Sequence, residues 1–239
     1  DMVKYTGNGV AGREIAHELG CDVGMIIVKQ LDSTNNWAVH HRGSSANIGW
    51  LNLTNAFDYA FPQNLFGDGT VVIQPTDTVF TVSTNSSVNT DGAEYIAYLF
   101  AHDPLGASGD GSDGLIACGS YVGDGTTEAT AVEIDLGWEP QYIMVKNATA
   151  SEGDQNWNVL DIMRGHGAYG STSKILTSNT SSAEAANAYY GSVNSTGFKM
   201  WETNVSNPGT TYIYMAIRRA DKTPESSDEV FAIDAENPE

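Results

Sequence analysis

Cationic groups are scarce in this chain, with 11 Lys and Arg against 30 Asp and Glu, so the few that cluster draw notice first. His41-Arg42-Gly43 and Arg164-Gly165-His166 set an arginine beside a histidine at similar points of two related stretches. A guanidinium grips a carboxylate or an acidic sugar through paired hydrogen bonds, which makes Arg42 and Arg164 candidate ligand-binding residues. The competing reading is an arginine held by the protein's own carboxylates. His40 and His41 are adjacent, and neighbours on a strand point to opposite faces, so the pair is badly placed to share a metal. Core or surface packing is the expected role of the histidines.

Aromatic side chains are the second resource. A flat ring stacks on the apolar face of a pyranose, so exposed Trp residues would serve a glycan-binding face. Trp37 and Trp157 sit among strand residues and are assigned to packing, whereas Trp50, Trp138 and Trp201 are the candidates for exposure and ligand contact. Calcium needs several oxygens on a tight loop; Asp110, Ser112 and Asp113 offer some, without the closing Glu of an EF-hand loop or a nonapeptide period. Apart from that calcium candidate, no cofactor is expected.

Enzyme signatures are weak. Gly7-Asn8-Gly9-Val10-Ala11-Gly12 fits G-x-G-x-x-G, but its counterpart Gly123-Asp124-Gly125 continues with Thr126-Thr127-Glu128 into a strand pattern, so a tight turn is expected and not a pyrophosphate cradle. No G-x-S-x-G elbow and no H-E-x-x-H occurs. Glycoside hydrolysis needs two carboxylates flanking a bond, and abundance of Asp and Glu does not supply that pairing. The two cysteines, Cys21 and Cys118, form no C-x-x-C and read as buried free thiols. The expectation is a protein without catalytic residues.

The elements that must position these groups come from an internal repeat. Tyr5-Thr6-Gly7-Asn8-Gly9 recurs as Tyr121-Val122-Gly123-Asp124-Gly125. Leu19-Gly20 then Met25-Ile26-Ile27-Val28-Lys29 is answered by Leu136-Gly137 then Tyr142-Ile143-Met144-Val145-Lys146. Trp37, Arg42, Phe80, Asn89 and Tyr95 are matched with Trp157, Arg164, Phe198, Asn207 and Tyr212. This divides the chain into repeat 1 at 1–105, a Gly/Asp/Ser linker at 106–117, repeat 2 at 118–222 and a tail at 223–239.

Val132, Ile134 and Leu136 alternate with Glu133 and Asp135, the period-two mark of a half-buried strand. Met25 to Val28, Tyr95 to Phe100 and Ile143 to Val145 are nearly continuous apolar runs, suited to strands buried on both faces. Short strands between Gly, Asn and Asp turns predict an all-β fold of two tandem β-sandwich (jelly-roll-like) domains. Only Ser181 to Ala188 has helical flavour, from its alanines and serine start. In the tail, Val230-Phe231-Ala232-Ile233 is a short apolar strand with no partner in its own repeat, and is the candidate for assembly onto a neighbour.

A formal net charge of −19 disfavours nucleic acid and anionic membrane surfaces as partners. No apolar run reaches the roughly 18 to 20 residues that span a bilayer, and the segment from Asp1 lacks a signal-peptide pattern.

The Tyr-x-Gly-x-Gly turn, the Leu-Gly and Met-Ile-Ile-Val-Lys pair, Trp37-Ala38-Val39, and Val88-Asn89-Thr90-Asp91-Gly92 leading to Tyr95-Ile96-Ala97-Tyr98-Leu99-Phe100 resemble a repeat domain of tailed-phage virion structural and tail-fibre proteins, notably of cyanophages and other marine phages. The resemblance covers nearly the whole chain. It implies a virion or extracellular location and a structural role as a fibre or capsid-surface component, with self-association, contact with other virion proteins, or a host-surface glycan as partner. It supplies no catalytic residues. A carbohydrate-binding module or adhesin is the alternative, and a polysaccharide depolymerase the remote one.

Overall fold

The computed structural model describes residues 1–44, 48–55, 57, 61–106, 114–125, 127–149, 156–167, 173–188 and 190–219. The fold is all-β. The N-terminal half contributes β1 (Met2–Thr6), β2 (Arg13–Ala16), β3 (Val23–Gln30), β4 (Ala38–His41), β5 (Ile48–Trp50), β6 (Val79–Val82) and β7 (Glu94–Ala101). The C-terminal half contributes β8 (Ile116–Val122), β9 (Val132–Asp135), β10 (Pro140–Asn147), β11 (Trp157–Asp161), β12 (Ser173–Thr177), β13 (Ala185–Ala188), β14 (Gly191–Asn194), β15 (Gly197–Met200) and β16 (Thr211–Arg218). Two single-turn helices, α1 (Ser86–Asn89) and α2 (Thr203–Ser206), precede β7 and β16.

The halves repeat one topology. One large sheet runs β1-β7-β3-β4-β5 and the other β8-β16-β10-β11-β12-β13, the same order with one strand added. A small sheet lies beside each: β2-β6 in the first half and β9-β15-β14 in the second. The alternation read at Val132 to Leu136 is β9 and its sequel, with Ile134 and Leu136 buried and Glu133 and Asp135 exposed.

Side-chain detail repeats as well. Tyr5 stacks on Tyr95 at 5.2 Å and Tyr121 on Tyr212 at 5.3 Å. Each first member donates its hydroxyl to a carbonyl of the helical turn, Val88 in one half and Val205 in the other, at 2.7 and 2.5 Å. Thr90 and Asn207 each donate a backbone N–H to the hydroxyl of the second tyrosine. Asn207 therefore corresponds to Thr90, one residue off the match with Asn89 that the sequence suggests. Before β4 and β11, Asn52 and Asn179 each accept the Trp37 or Trp157 N–H and donate to Asn36 or Asn156.

Three apolar cores hold the molecule, and strand periodicity explains them. On β3, Ile26 and Val28 face the small sheet of their own half, where Ile15, Phe80 and Val82 close the first core. On β10, Ile143 and Val145 do the same against Ile134, Phe198 and Met200 in the second. The intervening side chains, Met25, Ile27, Val39 and Phe57 from the first half and Cys118, Met144, Val159 and Ile213 from the second, form a third core between the large sheets. Both large sheets are thus covered on both faces, which is why β3 and β10 read as near-continuous apolar runs.

Two expectations are corrected. Ala185–Ala188 is strand β13, paired with β12, and not a turn of helix: edge pairing outweighs alanine's helical preference there. Strand β8 starts at Ile116, inside the stretch expected to be connector, because Ile116 and Ala117 pair with Ile217 and Ala216.

Candidate functional site

The seam between the large sheets gathers most of the groups that could do chemistry. Strand β8 crosses over β3, β7 and the 3₁₀ turn Arg42–Ser44. The crossing is close enough to require glycine. A Cβ on Gly24 would sit 2.6 Å from the Cys118 sulfur, and one on Gly43 would sit 2.7 Å from the Gly119 carbonyl oxygen.

His40 and His41 point to opposite faces, as strand geometry demands. His40 lies edge-on to Phe66 in the first core and meets Gln74 through Nε2 at 3.2 Å. His41 points into the seam, where its Nδ1 accepts the Gly43 N–H at 3.0 Å, so its Nε2 carries the proton and donates to the Tyr214 carbonyl of the other half at 3.0 Å. His102 accepts the Cys118 N–H on Nδ1 at 3.1 Å. Burial lowers the pKa of all three, to about 4 for His40 and about 3 for His41. Burial also raises the Cys118 thiol to about 12, which keeps it protonated and un-nucleophilic.

Trp157 completes the seam. It is 1% exposed, its ring meets Phe57 edge-on at 5.7 Å, and its indole N–H donates to the Trp50 carbonyl across the seam at 2.9 Å. The ammonium of buried Lys146 lies 5.4 Å above the same ring. Trp37 packs against this core partly buried, so both tryptophans assigned to packing serve it.

The tryptophans expected to be exposed are not. Trp138 is 2% exposed, with its indole N–H on the Pro104 carbonyl at 2.9 Å, and Trp201 is 8% exposed. Trp138 belongs to the second core and Trp201 is buried just after β15, both concealed in sequence by flanking turn residues. Trp50 is partly buried against the first core. Arg42 lies 3.7 Å from Asp22. Arg164 pairs with Asp161 at 2.5 Å, which also caps its turn, and approaches Glu184 at 3.6 Å. Both arginines hold their own carboxylates. They also occupy opposite ends of their 3₁₀ turns, Arg42–Ser44 and Ile162–Arg164, so their positions in the two halves are not equivalent.

Two surface grooves flank the Gly137–Glu139 stretch. One of about 460 Å³ is lined by His102, Leu105, Ala117, Asp135, Leu136 and Tyr214. The other, of about 510 Å³, lies among Glu139, Ile162, Met163, His166, Val193 and Arg219, with Met163 84% exposed on its rim. Sequence reasoning missed both, because they are built where separate strands and connections meet.

The loop with the G-x-G-x-x-G spacing joins β1 to β2, and no helix follows it. Gly9 and Gly12 have positive φ, and the Asn8 N–H is taken by the Asn89 side chain. It is a turn, as expected. Asp110, Ser112 and Asp113, and Val230 to Ile233, lie outside the described residues. Among the described residues, no group of three or more His, Cys, Asp or Glu is gathered for a metal, and no helix is long and apolar enough to cross a membrane.

Comparison with known families returns one model, a domain of unknown function designated DUF7483, matching residues 1–220. The chain belongs to this family. No curated protein and no solved structure matches it. The match spans both topological copies.

Proposed function

We propose that this DUF7483 chain is a non-enzymatic virion structural protein, a fibre or capsid-surface component made of two tandem β-sandwich domains that self-assembles and contacts the host. The observation that carries this reading is the third core. In this reading it joins two sandwiches into one four-layer block, supported by the apolar contact between the two large sheets. Such a block resists bending and leaves its histidines and its buried cysteine locked in packing, which suits a part that keeps its shape outside a cell. The resemblance of its motifs to tailed-phage virion repeats supports the same reading, and a net charge of −19 keeps exposed faces of neighbouring copies apart until a specific contact forms.

In this reading the assembly contact is Val230-Phe231-Ala232-Ile233 adding to a neighbouring copy. Deleting residues 223–239 is expected to abolish the oligomer while the block stays folded. Light scattering and negative-stain electron microscopy of both forms provide the test, and an unchanged oligomer after deletion overturns the assembly contact. A glycan array tests the carbohydrate-binding alternative, which has lost Trp138 and Trp201 as stacking platforms.

A further inference from the structure

We propose that the seam is an acid-released joint: when His41 and His102 take up protons, the two halves part along it while each half stays folded. This inference is independent of the virion reading.

The argument starts from which nitrogen accepts. His41 uses Nδ1 to accept the Gly43 N–H and Nε2 to donate to Tyr214, so it is satisfied only when neutral. His102 accepts the Cys118 N–H on Nδ1, a bond from the end of the first large sheet to the first strand of the second. An imidazolium has two donors and no acceptor, so a proton on either Nδ1 sets N–H against N–H at the seam. The surroundings add to this. Arg42 stands beside both rings and His102 is close enough to act on His41, while His40, on the opposite face of the strand, adds only a like charge at longer range. Asp22 and Asp103 are the carboxylates facing His102, and the Arg42 guanidinium is already shared with Asp22. Cys118 and Tyr214 remain neutral across the acid range, because burial raises both.

The remaining buried histidines mark where the molecule opens. His17 packs on Phe80 and His40 on Phe66 within the first half, and His166 is buried within the second half beside its groove, so all three lie away from the seam. His41 is fully buried and reaches water only when the third core opens, whereas His102 is partly exposed beside a surface groove and need only break its bond to Cys118. Opening the seam takes up protons at His41 and His102 while the apolar core of each half stays closed.

The test is amide hydrogen exchange of the full chain from pH 7 to pH 3.5, expressed as protection factors, alongside small-angle scattering. The Gly43 and Cys118 amides, bonded to the two imidazoles, are expected to lose protection by about 10- to 100-fold per pH unit once proton uptake begins. Val28 and Val145 should keep theirs, and the radius of gyration should rise. The doubly substituted His41→Asn, His102→Asn chain should hold its seam to lower pH, and His166→Asn should leave the seam's release unchanged. Simultaneous loss of protection at seam and interior amides in the wild type overturns the proposal, even if no variant folds. So does a double variant that opens at the wild-type pH.

Discussion

Replacing Trp157 with Phe removes one specific fastening between the halves. The indole N–H bond to the Trp50 carbonyl is lost, leaving that partly shielded acceptor without this donor, at a cost of about 1–3 kcal/mol. The smaller ring leaves a cavity on the order of 40 Å³, adding about 1 kcal/mol. The sum is about 2–4 kcal/mol, toward the upper end because Lys146 loses part of the π face beneath its ammonium. Trp37→Phe is the matched control, since Trp37 occupies the equivalent position of the first half and is only partly buried; about 1 kcal/mol is expected there. Urea unfolding followed by far-UV circular dichroism, extrapolated linearly to water, measures both. A loss below about 1 kcal/mol for Trp157→Phe, or equal losses for the two variants, would refute the reasoning.

Other outcomes follow from the same contacts. Tyr5→Phe and Tyr121→Phe should each cost about 1 kcal/mol in urea titrations, and by similar amounts, because each removes one buried hydroxyl bond to the turn before β7 or β16. Gly24→Ala should destabilise by more than about 2 kcal/mol in thermal melts, since its Cβ would overlap Cys118 and the Ala101 carbonyl oxygen, neither of which can retreat. Burial holds His40 and His166 at about 4, below their unfolded value of 6.5. The stability each confers is therefore whole above pH 6.5 and falls as pH drops toward 4, by about 1.4 kcal/mol per unit per histidine. Urea midpoints at pH 7, 6 and 5 should decline accordingly, and His166→Gln should flatten the slope by one histidine's share.

Much of the fold was legible because β periodicity and repetition are local signals. The Tyr5/Tyr121 and Met25–Val28/Ile143–Val145 matches fall on equivalent strands of the two halves, and double burial of β3 followed from its unbroken apolar run. What covers its second face was not legible, since nothing in Met25 or Ile27 says whether solvent, another chain or the second half lies opposite. The same blindness concealed Trp138 and Trp201, whose turn-rich neighbours suggested exposure until distant elements closed over them. His41 and His102 escaped as a pair because they are far apart in sequence and are brought to one seam only by β16 and β8 of the second half. At Ala185 to Ala188, local propensity pointed to helix and long-range pairing decided for strand.

The third core also speaks to ancestry. Its two walls use the same face of the same topological unit: Ile27 and Met144 are counterparts, as are Val39 and Val159. A face of that kind on a single unit is one it would present to its own copy, and such a pair would come apart on dilution. Fusing two units in one chain replaces a bimolecular encounter with an intramolecular one at millimolar effective concentration, by order of magnitude. The two walls are then released from having to match each other, and they differ at Met25/Tyr142 and Tyr98/Met215.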